Sequence, residues 1–157
     1  MYNDALKLYP AGYAEHCTSE VCHRLTFMYG LLYEHSQLND LTHAQLHELC
    51  GIAPITMFEQ LGQMVRAGHV VNYAGQDVYL PHLDRLKIPI AFIHGEDNQT
   101  WLPQSTRTTF DLLCAANGKD LYSRYLIPHY GHLDCIFGQN ANRDVYPLIV
   151  KHLDATQ

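Results

Sequence analysis

Apolar positions recur at three- and four-residue spacing through the first part of the chain and give way after Leu86 to shorter, denser runs. Ser19-Glu20 opens a predicted helix that carries Val21, Leu25, Met28 and Leu32 on one face. Thr42 to Cys50 reads as a second short helix, with Thr42 and Gln45 as a capping box and Gly51 as its stop. Pro54 suits the first turn of a third, with Ile55, Phe58, Leu61 and Val65 aligned and Gly68 ending it. From His69 to Leu80 the pattern predicts an irregular or hairpin-like connection. These aliphatic stripes read as core and helix-packing faces rather than as a cofactor box.

The second part is sharper. Ile88 to Ile93 is an almost wholly apolar run, as expected of a parallel strand covered on both faces, and His94-Gly95-Glu96-Asp97-Asn98 is the polar turn that follows. Pro103 opens a helix through Phe110, Leu112 and Leu113 that ends at Asn117-Gly118. Leu121 to Ile127 alternates as a strand, Pro128 to Gly138 reads as a loop, and Arg143 to His152 closes the chain as a helix. Strand alternating with helix is the signature of a parallel α/β arrangement. The expected organisation is therefore a helical segment over 1–85 and a βαβα unit over 86–157.

Composition narrows the function. A net charge of -6 with ten scattered Lys and Arg forms no basic stripe, which argues against nucleic-acid binding. No apolar run reaches the roughly 18 residues of a membrane span, and the first residues lack a secretory pattern. Five cysteines, an odd number at irregular spacing, suit a reducing compartment such as the cytoplasm rather than a disulfide framework. His16-Cys17 with Cys22-His23 has a finger-like gap, but no second ligand pair is evident in the sequence, so no metal site is expected.

In open α/β sheets, functional residues gather in loops at the carboxyl ends of strands. Here one such loop carries Glu96, Asp97 and Asn98, and the next carries Tyr130-Gly131-His132-Leu133-Asp134. An acid after one strand and a histidine after the next is the order in which an α/β hydrolase supplies its last two triad members. The histidine takes the nucleophile's proton, and the acid fixes its tautomer. Gly131 is expected to let the backbone turn tightly before the His132 ring. Asp134 is expected to orient the loop or cap the following turn, and Arg124 and Arg143 read as solvated charges.

The run Pro89 to Asn98, followed by Tyr130 to Gly138, resembles the C-terminal end of acid-lipase-like α/β hydrolases, which place a Gly-x-x-Asp turn and a His-x-Asp-x-x-x-Gly loop there. It is more similar still to the hydrolase-like region fused behind cholesterol-oxidase-like flavoproteins of the glucose-methanol-choline oxidoreductase family. That pattern looks like Gly-x-x-Asn, then Pro-x-Ser-Thr, then Tyr-Gly-His-x-Asp-Cys-x-Phe-Gly. This chain has Gly95 to Asn98, Pro103-Gln104-Ser105-Thr106, and Tyr130 through Gly138. The resemblance covers roughly the last 65 residues, and the helical first part is only weakly similar to an acid-lipase cap or lid.

The resemblance implies a partial α/β-hydrolase fold, with His132 as catalytic base and either Asp97 or Asn98 at the position of the triad acid. An asparagine there cannot stabilise an imidazolium, whereas Asp97 substitutes if the turn shifts by one residue. Ser19, Ser36, Ser105 and Ser123 all lie outside any Gly-x-Ser-x-Gly elbow, and no Gly-x-Gly-x-x-Gly appears. The expectation is a piece of a larger protein, inactive and poorly behaved alone, whose partner is the missing N-terminal part of the domain. The parent would bind FAD if it is the flavoprotein, and would act on a sterol, lipid or ester. A plain lipase or esterase, and a non-catalytic interaction or lipid-binding module, are the alternatives.

Overall fold

A computed structural model describes residues 17–49 and 53–156. Helix α1 spans Glu20–Tyr29 and stops at Gly30, whose φ of 77° is open to glycine at little cost. Leu32 therefore lies beyond the helix; of the predicted stripe Leu25 is buried, Val21 and Leu32 pack half-buried against the same core cluster, and Met28 is 45% exposed, while Cys22 is the other buried position. Asn39, not Thr42, caps the next helix: its side chain accepts the Thr42 N–H at 2.8 Å, one turn earlier than the capping-box reading. That helix, α2 (Asp40–Ala44), breaks at Gln45 before α3 (Leu46–Leu49), while Cys50 and Gly51 lie outside the described residues.

Helix α4 spans Ile55–Ala67 and ends at Gly68, with φ 73°. Of the predicted face, Ile55 and Val65 are exposed, whereas Phe58 and Leu61 are half-buried and the Phe58 ring packs on Tyr29 of α1 at 5.9 Å; no residue of α4 is fully buried. Residues 69–79 form an irregular connection around the Asn72–Gln76 turn, followed by a 3-10 stretch over Leu80–Leu86. No described helix is long and apolar enough to cross a membrane.

The α/β unit consists of β1 (Ile90–Gly95), α5 (Pro103–Asn117) and β2 (Tyr122–Ile127). The fold is thus mixed α/β, and the two strands pair in parallel from Ile90↔Tyr122 to Gly95↔Ile127. Pairing begins two residues after Ile88 and carries His94 and Gly95 into the strand, because the ladder with β2 extends that far. Along β1 only His94 and Gly95 are buried, so the strand is not covered on both faces among the described residues. Phe92 packs edge-to-face on Phe110 of α5. Asn117 and Tyr122 close the far end, with the Tyr122 hydroxyl donating to Leu86 O at 2.7 Å and Asn117 donating to Leu83 O at 2.8 Å.

The loop predicted over Pro128–Gly138 contains a short helix, α6 (Asp134–Phe137). The closing helix is divided into α7 (Ala141–Asp144) and α8 (Tyr146–Asp154), with Val145 between them at φ -117°. Pro147 explains the break, since it lacks the N–H that a continuous helix needs and its ring crowds the preceding turn.

Among the described residues two clusters form the core: Cys22, Leu25, Tyr33, Leu38 and Leu46 in the helical part, and Ile127, Tyr130, Ala141 and Val145 behind the sheet. Leu133 and Phe137 pack against the first cluster, which joins the helical part to the α/β unit. The strap from Leu31 to Gln37 makes the join polar as well. Leu32 O accepts both His132 N–H and Leu133 N–H, and Gln37 O accepts Gln139 N–H. Gln37 also donates to His129 O, and Thr100 donates its hydroxyl to Leu31 O. Each such bond contributes about 1 kcal/mol net, and several on one strap fix its position.

Candidate functional site

Parallel pairing brings the carboxyl ends of β1 and β2 side by side, and their loops interlock. Glu96 N–H donates to Ile127 O at 2.9 Å, and Asp97 N–H donates to Tyr130 O at 3.0 Å. The crossing is so close that a Cβ on Gly95 would overlap the carbonyl oxygens of Tyr130 and Gly131. At Gly131 a Cβ would lie 3.0 Å from Tyr33 Cα, so this glycine is needed for the strap's approach. The expected tight turn sits two residues earlier, at His129, whose φ is 62°.

Asn98 is 4% exposed and faces His132, with its Nδ2 3.1 Å from the ring's Nδ1. Its Oδ1 accepts the backbone N–H of Thr100 at 3.1 Å and of Trp101 at 3.0 Å. Two N–H donors require an oxygen at that end of the amide, so the NH2 must be the end that meets His132. His132 Nδ1 is therefore an acceptor, and the neutral ring carries its proton on Nε2. Burial holds the His132 pKa below its usual value, which favours this neutral form. No described side chain hydrogen-bonds Nε2.

Asp97 points elsewhere. Its carboxylate is 3.9 Å from Nδ1 of the exposed His129. Asp134 is fully buried and does not meet the His132 ring; its Oδ2 accepts Gly131 N–H at 2.6 Å and Glu34 N–H at 3.0 Å. It thus holds the histidine loop to the strap. The Cys135 thiol is pushed up to about 11 by burial and then by the Asp134 charge, so it is protonated and not a ready nucleophile. Tyr130, buried and donating to Asp144 at 2.9 Å, is raised to about 12 by the same desolvation and by that bond.

Behind this pair lies His94, 5% exposed, which sequence reading placed in a polar turn. It donates from Nε2 to Trp101 O at 2.8 Å, and its Nδ1 is 3.2 Å from the Thr106 hydroxyl. Burial is the main cause that lowers its pKa, with Arg124 and His132 adding to it against the Trp101 bond. Arg124 is not a solvated charge: it donates to Thr106 Oγ1 at 3.1 Å and to Pro103 O at 2.7 Å. Arg143, by contrast, is 71% exposed and pairs with Asp144. His94, Thr106 and Arg124 together fix the start of α5 and the Trp101 carbonyl beside Asn98.

A second group of chemical interest lies in the helical part. Cys17, Cys22, His35 and His43 each direct one ligand atom into a space where all lie within 4.8 Å of one another. Sequence reading paired the cysteines with His16, which lies outside the described residues, and with His23, whose Nε2 bonds Cys17 O instead. The missed partners are the two later histidines. Twelve residues separate Cys22 from His35, a finger-like interval that was the available signal.

No family model, no curated protein and no solved structure matches the chain.

Proposed function

We propose that this chain is the histidine-bearing C-terminal portion of an α/β-hydrolase-like domain, of the kind its motifs resemble behind cholesterol-oxidase-like flavoproteins. In this reading His132 presents its Nε2–H to an oxygen of an ester, lipid or sterol. One observation carries it: the Asn98 amide donates to His132 Nδ1 across 3.1 Å, with its orientation set by Thr100 and Trp101. In a working triad an acid accepts Nδ1–H and leaves Nε2 free to take the nucleophile's proton. Asn98 reverses that polarity, so the neutral ring polarises a carbonyl or holds a hydroxyl but is poorly set to act as a base. A nucleophile and any flavin site belong, in this reading, to other parts of the parent protein. A plain lipase reading relies on Asp97 as the acid, and Asp97 faces His129 rather than His132.

The test is ester hydrolysis, with an acyl p-nitrophenyl ester, by the complete open reading frame containing this chain. Weak hydrolysis that disappears in His132→Ala and rises by up to about 10⁴-fold in Asn98→Asp is the expected result. Hydrolysis unaffected by His132→Ala would overturn the reading. No hydrolysis in either the wild type or Asn98→Asp would also overturn it, in favour of a non-catalytic binding module.

A further inference from the structure

We propose that Cys17, Cys22, His35 and His43 form a structural zinc site, independent of the chemistry at His132. Their arrangement is close to what a tetrahedral ion requires. Bonds of about 2.0–2.3 Å to nitrogen and sulfur imply ligand–ligand edges of about 3.3–3.8 Å. The His43 Nε2 lies 3.2 Å from Cys22 Sγ and 3.4 Å from Cys17 Sγ, and all four ligand atoms fall within 4.8 Å.

Hydrogen bonding alone accounts poorly for this convergence. One imidazole nitrogen offers a single lone pair or a single N–H, yet two sulfurs approach the same Nε2. A cation at the common centre serves both thiolates and both rings at once. Two thiolates cancel the charge of a divalent ion, so the assembled site is neutral and suits its half-buried place beside the first core cluster. Soft sulfur and imidazole donors without a carboxylate select zinc over calcium or magnesium. Four protein ligands leave no open position, which makes the site structural rather than catalytic.

The surroundings support the ligands. Ser19 N–H donates to Cys17 Sγ at 3.4 Å, as expected beside a thiolate, and His23 bonds the Cys17 carbonyl at 3.0 Å. The rings of His35 and His43 lie 5.1 Å apart and tilted, so their edges rather than their faces converge. Cys17 and Cys22 bracket the start of α1, His43 lies on α2, and His35 lies on the strap directly after Leu32, Tyr33 and Glu34. The ion would staple these elements together and hold the strap against the His132 loop.

The 157-residue chain, produced with zinc supplied and purified under reducing conditions, should carry about one Zn²⁺ per chain by elemental analysis. Replacement by Co²⁺ should give the intense visible bands of a tetrahedral site and a thiolate-to-cobalt charge-transfer band. The Cys17→Ser/Cys22→Ser double variant should lose the metal, whereas Cys114→Ser should keep it. Because loss of ligands can unfold the chain, His43→Cys gives a second reading: metal is retained and the charge-transfer band strengthens. Removal of zinc by a chelator should speed amide exchange at His132 and Leu133. A wild-type chain without metal, an octahedral cobalt spectrum, or zinc retained by the double cysteine variant would overturn the proposal. An unchanged charge-transfer band in His43→Cys would overturn it as well.

Discussion

The side-chain amide of Asn98 donates to Nδ1 of His132 across 3.1 Å, the reverse of the hydrogen bond an acid would make there. The backbone enforces this polarity, because Thr100 and Trp101 hold the amide oxygen on the other side.

The tautomer is directly measurable. Nitrogen-15 NMR of the imidazole should place the neutral His132 proton on Nε2. In Asn98→Asp the partner becomes an acceptor, so the proton should move to Nδ1 and the His132 pKa should rise. A wild-type ring protonated at Nδ1 would show that the amide is reversed.

Acidification should destabilise the fold through the same ring. Burial places the folded His132 pKa below the ordinary 6.5, so the unfolded chain takes up the proton first. Stability from this group is therefore full above about pH 6.5 and declines as pH falls toward the folded pKa. His94 acts in the same direction, for the same main reason. Urea midpoints measured across pH 7 to 5 should fall, and His132→Gln should flatten that slope. An equal slope in the variant would assign the acid sensitivity elsewhere.

Gly95→Ala should be severe. Its new Cβ meets carbonyl oxygens of the Tyr130–Gly131 backbone, which cannot rotate away as a side chain would. A loss of about 3 kcal/mol is expected, at the upper end for overpacking, and urea unfolding would measure it. Gly118→Ala is a useful contrast, because nothing lies within 4 Å of its added Cβ and only its φ of 96° is strained.

Asp134→Ala should cost about 3 kcal/mol, since it orphans the N–H groups of Gly131 and Glu34 together. Asp134→Asn keeps an acceptor oxygen and should cost less. Thermal unfolding ranks the two, and amide exchange at Gly131 and Glu34 should rise more in the alanine variant. An alanine variant as stable as wild type would show that Asp134 does not hold the histidine loop.

Much of the second half was legible because its signals are local. Pro103 and Gly118 bound α5 where a missing N–H and a free φ permit, and the apolar runs around Ile93 and Ile127 mark the paired strands. Local rules failed where two of them competed. Thr42 with Gln45 fits a capping box, yet Asn39 takes the cap three residues earlier, and Pro147 divides a helix whose apolar spacing continues through it.

By itself the sequence determined the order of helix and strand and the loops on which Asn98 and His132 stand. Only the tertiary structure decided that Asn98 rather than Asp97 meets the ring. That choice depends on two backbone N–H groups beyond the turn and on the close crossing at Gly95. It likewise decided that His35 and His43 join Cys17 and Cys22, because the strap and α2 must first pack on α1. Hydrophobic periodicity and capping act over a few residues, whereas these contacts arise from packing between segments distant in the chain, which periodicity and capping do not encode.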